Sequence, residues 1–250
     1  MEQKVESEKP LEKPENINPE LTRNFVDFIK QKSETGLYRV EVKVGDKVIP
    51  IDVFPTVFPP KSDYSASSKF LFETFSNLQG LQVADIGSGS GIESIVAVMA
   101  GANHVDAADI NQQAVDCSKH NVEINGLQNS IEVFYSDLFQ NFPKKKYDLI
   151  VTNLPIVNFY AGDNSINNSL YDKDLAIHKR FFLEAKDFLT ENGIITFTHA
   201  NLQSAKMANP DYDFMVLEKL IDECGYEIAE KEEREDLSYK WINYKIKLRK

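Results

Sequence analysis

The chain has 250 residues, 42% of them hydrophobic and 27% charged, and carries a formal charge of −11. That balance is that of a globular protein with a core of about one α/β domain, which excludes a disordered or fibrous chain. No apolar run approaches the roughly 18 residues that span a bilayer, and the acidic surplus works against binding a polyanion through bulk electrostatics. A cytoplasmic location, no membrane partner and no nucleic-acid partner are the expectations.

Residues 1–19 interleave Glu and Lys with Pro10, Pro14 and Pro19. Such a stretch buries too little apolar surface to offset chain entropy, and it lacks the apolar centre of a signal peptide, so it reads as a flexible tail. Leu21, Phe25, Phe28 and Ile29 recur at helical spacing and predict a helix over 21–30. Tyr38, Val40, Val42 and Val44 alternate up to Gly45-Asp46, and 48–54 alternates again, which predicts a hairpin. The prolines of 54–60 (FPTVFPP) fix φ and extend their predecessors, making a rigid connection. Residues 20–64 are therefore expected as an N-terminal helix-and-hairpin extension, and 65–250 as the main domain.

Within that domain, 67–77 reads as a short helix. Strands are expected at 82–86, 104–110, 130–135 and 147–153, alternating with helices after Gly91 and over 112–125, with a short connection at 138–146. A helix over 175–190, a strand at 193–199, a helix over 214–224 ending at Gly225, and strands at 226–232 and 240–248 complete the chain. This rhythm defines an α/β fold, doubly wound, with a mainly parallel seven-stranded sheet covered on both faces and one antiparallel strand at its far end. Cys117 and Cys224 fall in two of the helices without CxxC spacing, so they read as reduced structural thiols and no metal site is expected.

The chemistry is concentrated between Asp85 and Asp137. Asp85-Ile86-Gly87-Ser88-Gly89-Ser90-Gly91 puts an acid at the end of an apolar strand, followed by glycines at every second position, where a ligand can lie close over the turn. A nicotinamide dinucleotide fingerprint places its third glycine one residue later, where this chain has Ile92, and does not need Asp85. A cationic aminoacyl nucleoside without phosphate suits the acid better. Asp109, at the end of the second strand, stands where nucleoside folds put the acceptor of a ribose diol, with Ile110 placed to pack on an adenine face. Asp137, followed by Leu138, comes just after the third strand and is placed to take the adenine amino group. Each acid alone would read as a cap or turn residue; three at the carboxyl ends of successive strands mark the ligand-binding end of an open sheet.

The fourth strand ends in Thr152-Asn153-Leu154-Pro155-Ile156. Here the chain resembles the class I methyltransferases that act on amino groups, whose fourth strand ends in Asn/Asp-Pro-Pro-Tyr/Phe. It is most similar to the HemK-type release-factor glutamine methyltransferases and the related ribosomal guanine enzymes. The resemblance covers about residues 57–199 and rests on DIGSGSG, AADIN, SDLF and DLIVTNLP. It implies S-adenosylmethionine as cofactor, bound by Asp85, Gly87, Ser88, Gly89, Gly91, Asp109, Ile110, Asp137, Leu138 and Asn153. It implies further that Asn153, Leu154 and Pro155 form the catalytic motif, in which the Asn153 side chain and the Leu154 carbonyl accept hydrogen bonds from the target NH₂.

Leu154 stands for the first proline and Ile156 for the stacking aromatic, a role that Phe159 or Tyr160 is placed to supply. His178 and His199 read as structural, and Ser88 and Ser90 lack the GxSxG elbow of a hydrolase. The acceptor is expected to be an amide or amine of a protein or small molecule. An RNA base, reached through Lys144–Lys146, is the alternative; a non-catalytic cofactor-binding subunit is another. Helix 21–30, the hairpin and residues 57–64 are expected to wall the acceptor cleft.

Overall fold

The computed structural model describes Asp27 and residues 30–32, 34–60, 66–158, 169–236 and 239–250. The expected tail, most of helix 21–30, Phe159 and Tyr160 lie outside these residues. The described elements are β1 (Tyr38–Val44), β2 (Lys47–Val53), α1 (Ser67–Phe72), β3 (Gln82–Ile86), α2 (Ile92–Met99), β4 (His104–Asp109), α3 (Gln112–Ile124), β5 (Ile131–Tyr135) and β6 (Tyr147–Thr152). They continue with α4 (Ala176–Ala185), β7 (Leu189–Ala200), α5 (Tyr212–Glu223), β8 (Tyr226–Asp236) and β9 (Tyr239–Leu248).

β3 to β9 form one sheet in the order β5-β4-β3-β6-β7-β9-β8, while β1 and β2 pair only with each other. The strands run parallel except β9, which is antiparallel to both β7 and β8. The antiparallel strand thus lies one place in from the edge, with β8 outside it. Strand order reverses between β3 and β6, and the carboxyl ends there open a crevice. Successive strand residues serve opposite faces: Val83, Val105, Leu149 and Val151 join one core, and Ala84, Ile86, Ala108 and Ile150 the other. With both faces covered, the strands read as continuous apolar runs.

The hairpin is welded to α3. Val40, Val42, Ile49, Ile51 and Val53 share the first core with Val115 and Val122. The buried Asn121 accepts from Asp52 N at 2.8 Å and donates to the carbonyls of Asp52 and Ser90 at 2.8 and 2.9 Å. Around the same residue, Arg39 Nε donates to the Asp52 carboxylate at 2.7 Å and His120 Nε2 lies 2.8 Å from it. Arg39, through hydrogen bonding, holds the Asp52 carboxyl down to about 2, and His120 adds to this.

Two helices are shorter than their periodicity suggests. α1 ends at Phe72 because Thr74 folds back, its N–H and hydroxyl both donating to Leu71 O. α4 covers Ala176–Ala185 rather than 175–190: Asp187 and Phe188 close a tight turn onto Glu184 and Ala185, and Tyr147 N donates to Phe188 O at 2.7 Å, drawing Leu189 into the sheet. Its start is fixed by Asp172, whose carboxylate accepts from Ile177 N and His178 N at 2.8 and 3.0 Å. Among the described residues, His104, Asp106 and Glu132 bring metal-ligating atoms within 4.8 Å of one another. Asp106 is already engaged there by Lys145 at 2.6 Å and the Tyr147 hydroxyl at 2.7 Å. No helix among the described residues is long and apolar enough to cross a membrane.

Candidate active site

A cleft of about 620 Å³ opens at the switch point between β3 and β6. Its floor is the glycine loop. Gly87 N and Ser88 N both donate to Ala108 O, at 2.8 and 2.9 Å, folding the loop over the end of β4. Gly87 and Gly89 have φ of 80° and 53°. A Cβ on Gly87 would meet nothing within 4 Å, and on Gly89 only the Gly87 carbonyl at 4.0 Å. These two glycines leave an open cradle that is accessible to a ligand.

Asp109 clamps this cradle. One carboxylate oxygen accepts from Gly89 N at 2.9 Å and the other from Asn111 N at 2.8 Å. A carboxylate offers about four acceptor sites, so capacity for a ribose diol remains. Ile110 beside it is 55% exposed, a large apolar side chain presented to the cleft it lines. Leu138, on the opposite lip, is buried and holds φ of 50°, a conformation strained for a branched side chain. It is anchored by Phe139, which stacks on Phe188 at 4.5 Å and on Phe181 at 5.8 Å. Asp137 lines the same lip and accepts from Arg180 Nη2 at 3.0 Å. The positions of Gly87, Ser88, Gly89, Asp109, Ile110, Asp137 and Leu138 in one lining fit a nucleoside with a cationic aminoacyl tail.

Two expected ligand residues sit elsewhere. Asp85 does not reach the lining: it lies beneath the loop, 2% exposed, and accepts from Ser94 Oγ at 2.5 Å. Gly91 caps α2 with φ of 81° and faces α3, where a Cβ would stand 2.5 Å from Ser118 Oγ. The glycine at 91 allows close helix packing, and Asp85 is tied to the first turn of α2 through Ser94. The hairpin likewise backs α3, leaving the connection after it (Thr56, Val57, Phe58 and Pro60) to line the cleft. Thr56 holds φ of 66° there and accepts from Asn111 Nδ2 at 3.3 Å.

At the other end stand Asn153, Leu154, Pro155 and Ile156. The Asn153 amide nitrogen donates to Ser67 Oγ at 3.1 Å and Ser68 Oγ at 3.2 Å, with Glu93 Oε1 at 3.5 Å. Glu93 is 6% exposed and lines the cleft. Burial raises the carboxyls of Asp85 and Glu93 above their ordinary range, and the Glu93 charge raises Asp85 further. Near Ile156 the wall is made by Leu202, Tyr239 and Trp241, which cluster with it. Sequence reasoning missed Glu93, Ser67, Ser68, Tyr239 and Trp241. An acid in the otherwise apolar α2 was the one local signal. His178 and His199 stay out of the lining; they are buried edge-to-face, 5.6 Å apart, with His178 paired to Asp172 at 2.7 Å and His199 held well below its ordinary pKa by burial.

The fold, with this cleft at its switch point, defines a class I methyltransferase. The chain belongs to the methyltransferase small domain family, an S-adenosylmethionine-dependent class, whose family model matches residues 54–230. It is 48% identical over 75 residues to a ribosomal protein L11 methyltransferase of Caldanaerobacter subterraneus subsp. tengcongensis, covering 30% of this chain and 24% of that one. Over 144 residues it is 33% identical to a ribosomal protein uL3 glutamine methyltransferase of Francisella tularensis, covering 53% and 46% of the two chains. The chain thus spans less than half the length of these curated relatives. A crystal structure of ribosomal protein L11 methylase from Lactobacillus delbrueckii subsp. bulgaricus shares the fold, with a TM-score of 0.56 at 20% identity over 84% of this chain and 99% of that one.

Proposed function

We propose that this protein transfers a methyl group from S-adenosylmethionine to an amide or amine nitrogen of a protein, in the cytoplasm. The observation that carries the reading is the setting of Asn153. Its two amide protons are directed at the Ser67 and Ser68 hydroxyls, so its Oδ1 is the atom left to accept from an incoming NH₂. With the Leu154 carbonyl, it would turn the nitrogen lone pair toward the cradle. S-adenosylmethionine supplies an already activated methyl on a sulfonium, so the protein's contribution is chiefly placement. Gly87, Gly89, Asp109, Ile110 and Asp137 hold the nucleoside in this scheme. Leu154, Pro155 and the rings of Tyr239 and Trp241 keep water from the nitrogen.

A protein acceptor is favoured over RNA by the names of the curated relatives and by the charge of −11, which offers phosphates little. Within Lys144–Lys146, Lys145 turns inward to Asp106. Radiolabelled methyl transfer into cell extract, divided between protease and ribonuclease, tests this: the label is expected to vanish with protease and survive ribonuclease. Asn153→Ala should keep the affinity for S-adenosylhomocysteine within about threefold while turnover falls by about 100-fold or more. Equal turnover in the two proteins would sink the role of Asn153.

A further inference from the structure

Glu93 is a buried carboxylate with no cation beside it among the described residues. It is approached by the Ser68 hydroxyl from α1 and by Asn153 Nδ2 after β6, at 3.5 Å, and it lies near enough to the Asp85 carboxyl of β3 for its charge to raise that group. Arg180 is the cation of the described cleft lining, and it is bridged to Asp137 and Glu184. A carboxylate removed from water needs a positive partner or a proton. Unlike Asp85, Glu93 opens onto the cleft, beside the side chain that would orient the acceptor.

We propose that Glu93 pairs with a cationic primary amine and takes its proton, so that the acceptor is a lysine side chain or a terminal α-amine of a protein and not an amide. This rests on the N-methyltransferase reading above. The ammonium R–NH₃⁺ gives one proton to the carboxylate, which becomes a neutral acid. The freed nitrogen lone pair forms the new N–C bond as the methyl–sulfur bond breaks and leaves its electron pair on sulfur. The product R–NH₂⁺–CH₃ departs, and Glu93 returns its proton to water. An amide nitrogen is uncharged at neutral pH and would leave the Glu93 carboxylate uncompensated. Burial, which raises the Glu93 pKa, makes it a better proton acceptor for this step. A second group points the same way. The Trp241 indole N–H is 5% exposed, lines the same cleft and has no partner among the described residues. It is a donor suited to a main-chain carbonyl of the polypeptide that carries the amine.

The full chain is incubated with extract and labelled S-adenosylmethionine, and the labelled protein is hydrolysed in acid. Recovery of Nε-methyllysine or of an Nα-methylated terminal residue supports the proposal and tells the two amines apart. Label released as methylamine, the hydrolysis product of a methylated side-chain amide, overturns it while leaving N-methylation of protein intact; label sensitive to ribonuclease alone overturns the parent reading instead. Glu93→Gln should bind S-adenosylhomocysteine within about twofold of the wild type. It should methylate about 100-fold more slowly near pH 7, recovering about tenfold per pH unit toward the ordinary lysine pKa near 10. A tenfold loss of S-adenosylhomocysteine affinity would assign Glu93 to the cofactor, and a flat pH profile would remove the proton transfer; either overturns the proposal.

Discussion

Asp109 ties the turn after β3 to the turn after β4 with its two carboxylate oxygens, and the same oxygens face the place where a ribose would lie. Asp109→Ala is expected to lower cofactor affinity by about 1.5–3 kcal/mol, the scale of hydrogen bonds to a charged group. Calorimetry with S-adenosylhomocysteine measures it, and unchanged affinity would remove Asp109 from the site. This residue was legible in the sequence because its place is set locally, at a strand end before a helix. Glu93 was not, because an acid in the first turn of a helix is ordinarily a solvated partner of the helix dipole. Only the folding of Ser68 and Asn153 onto it shows otherwise.

Among the elements, the glycine loop separates two kinds of constraint. Gly91→Ala should destabilise the fold by about 2 kcal/mol or more, since the added Cβ meets α3 and the backbone is left-handed. Gly87→Ala meets open space, so it should cost about 1–2 kcal/mol of stability while blocking the cradle. Urea midpoints and calorimetry on the two variants should therefore diverge; similar cofactor losses in both would put Gly91 back in the site. The hairpin makes a pH prediction. Asp52 has its pKa lowered from 3.8 to about 2 in the folded protein, so its contribution is present above pH 4 and is lost as pH falls from about 4 to 2. Asp52→Asn should cost about 1–2 kcal/mol at pH 7 and only a small fraction of that at pH 2, read from urea curves against pH; a constant difference would contradict it. The alternation of Val40, Val42 and Val44 announced the hairpin, but where it docks depended on Asn121, an amide in a helix with no sequence signal of being buried.

At the scale of the molecule, the seven strands and the place of the crevice were legible, because alternating apolar runs and helices force a covered parallel sheet. The end of α4 was not: Phe188 and Leu189 fit a helical stripe, and only the pairing of Tyr147 with Leu189 claims them for the sheet. The cleft wall near Ile156 was hidden for a related reason. Tyr239 and Trp241 belong to the strand farthest in sequence from the loop they face, and an apolar alternation there reads as core.

The interior position of β9 has a further consequence for biosynthesis. A chain emerging from the ribosome completes β3 to β6, with the cofactor cradle, well before β9 can slip between β7 and β8. Until then β7 presents an unpaired edge, and the cleft lacks the wall that Tyr239 and Trp241 make near Ile156. A polypeptide stopped after Asp236 is expected to self-associate on a sizing column and to bind a hydrophobic dye, and a monodisperse fragment with a cooperative unfolding transition would contradict this.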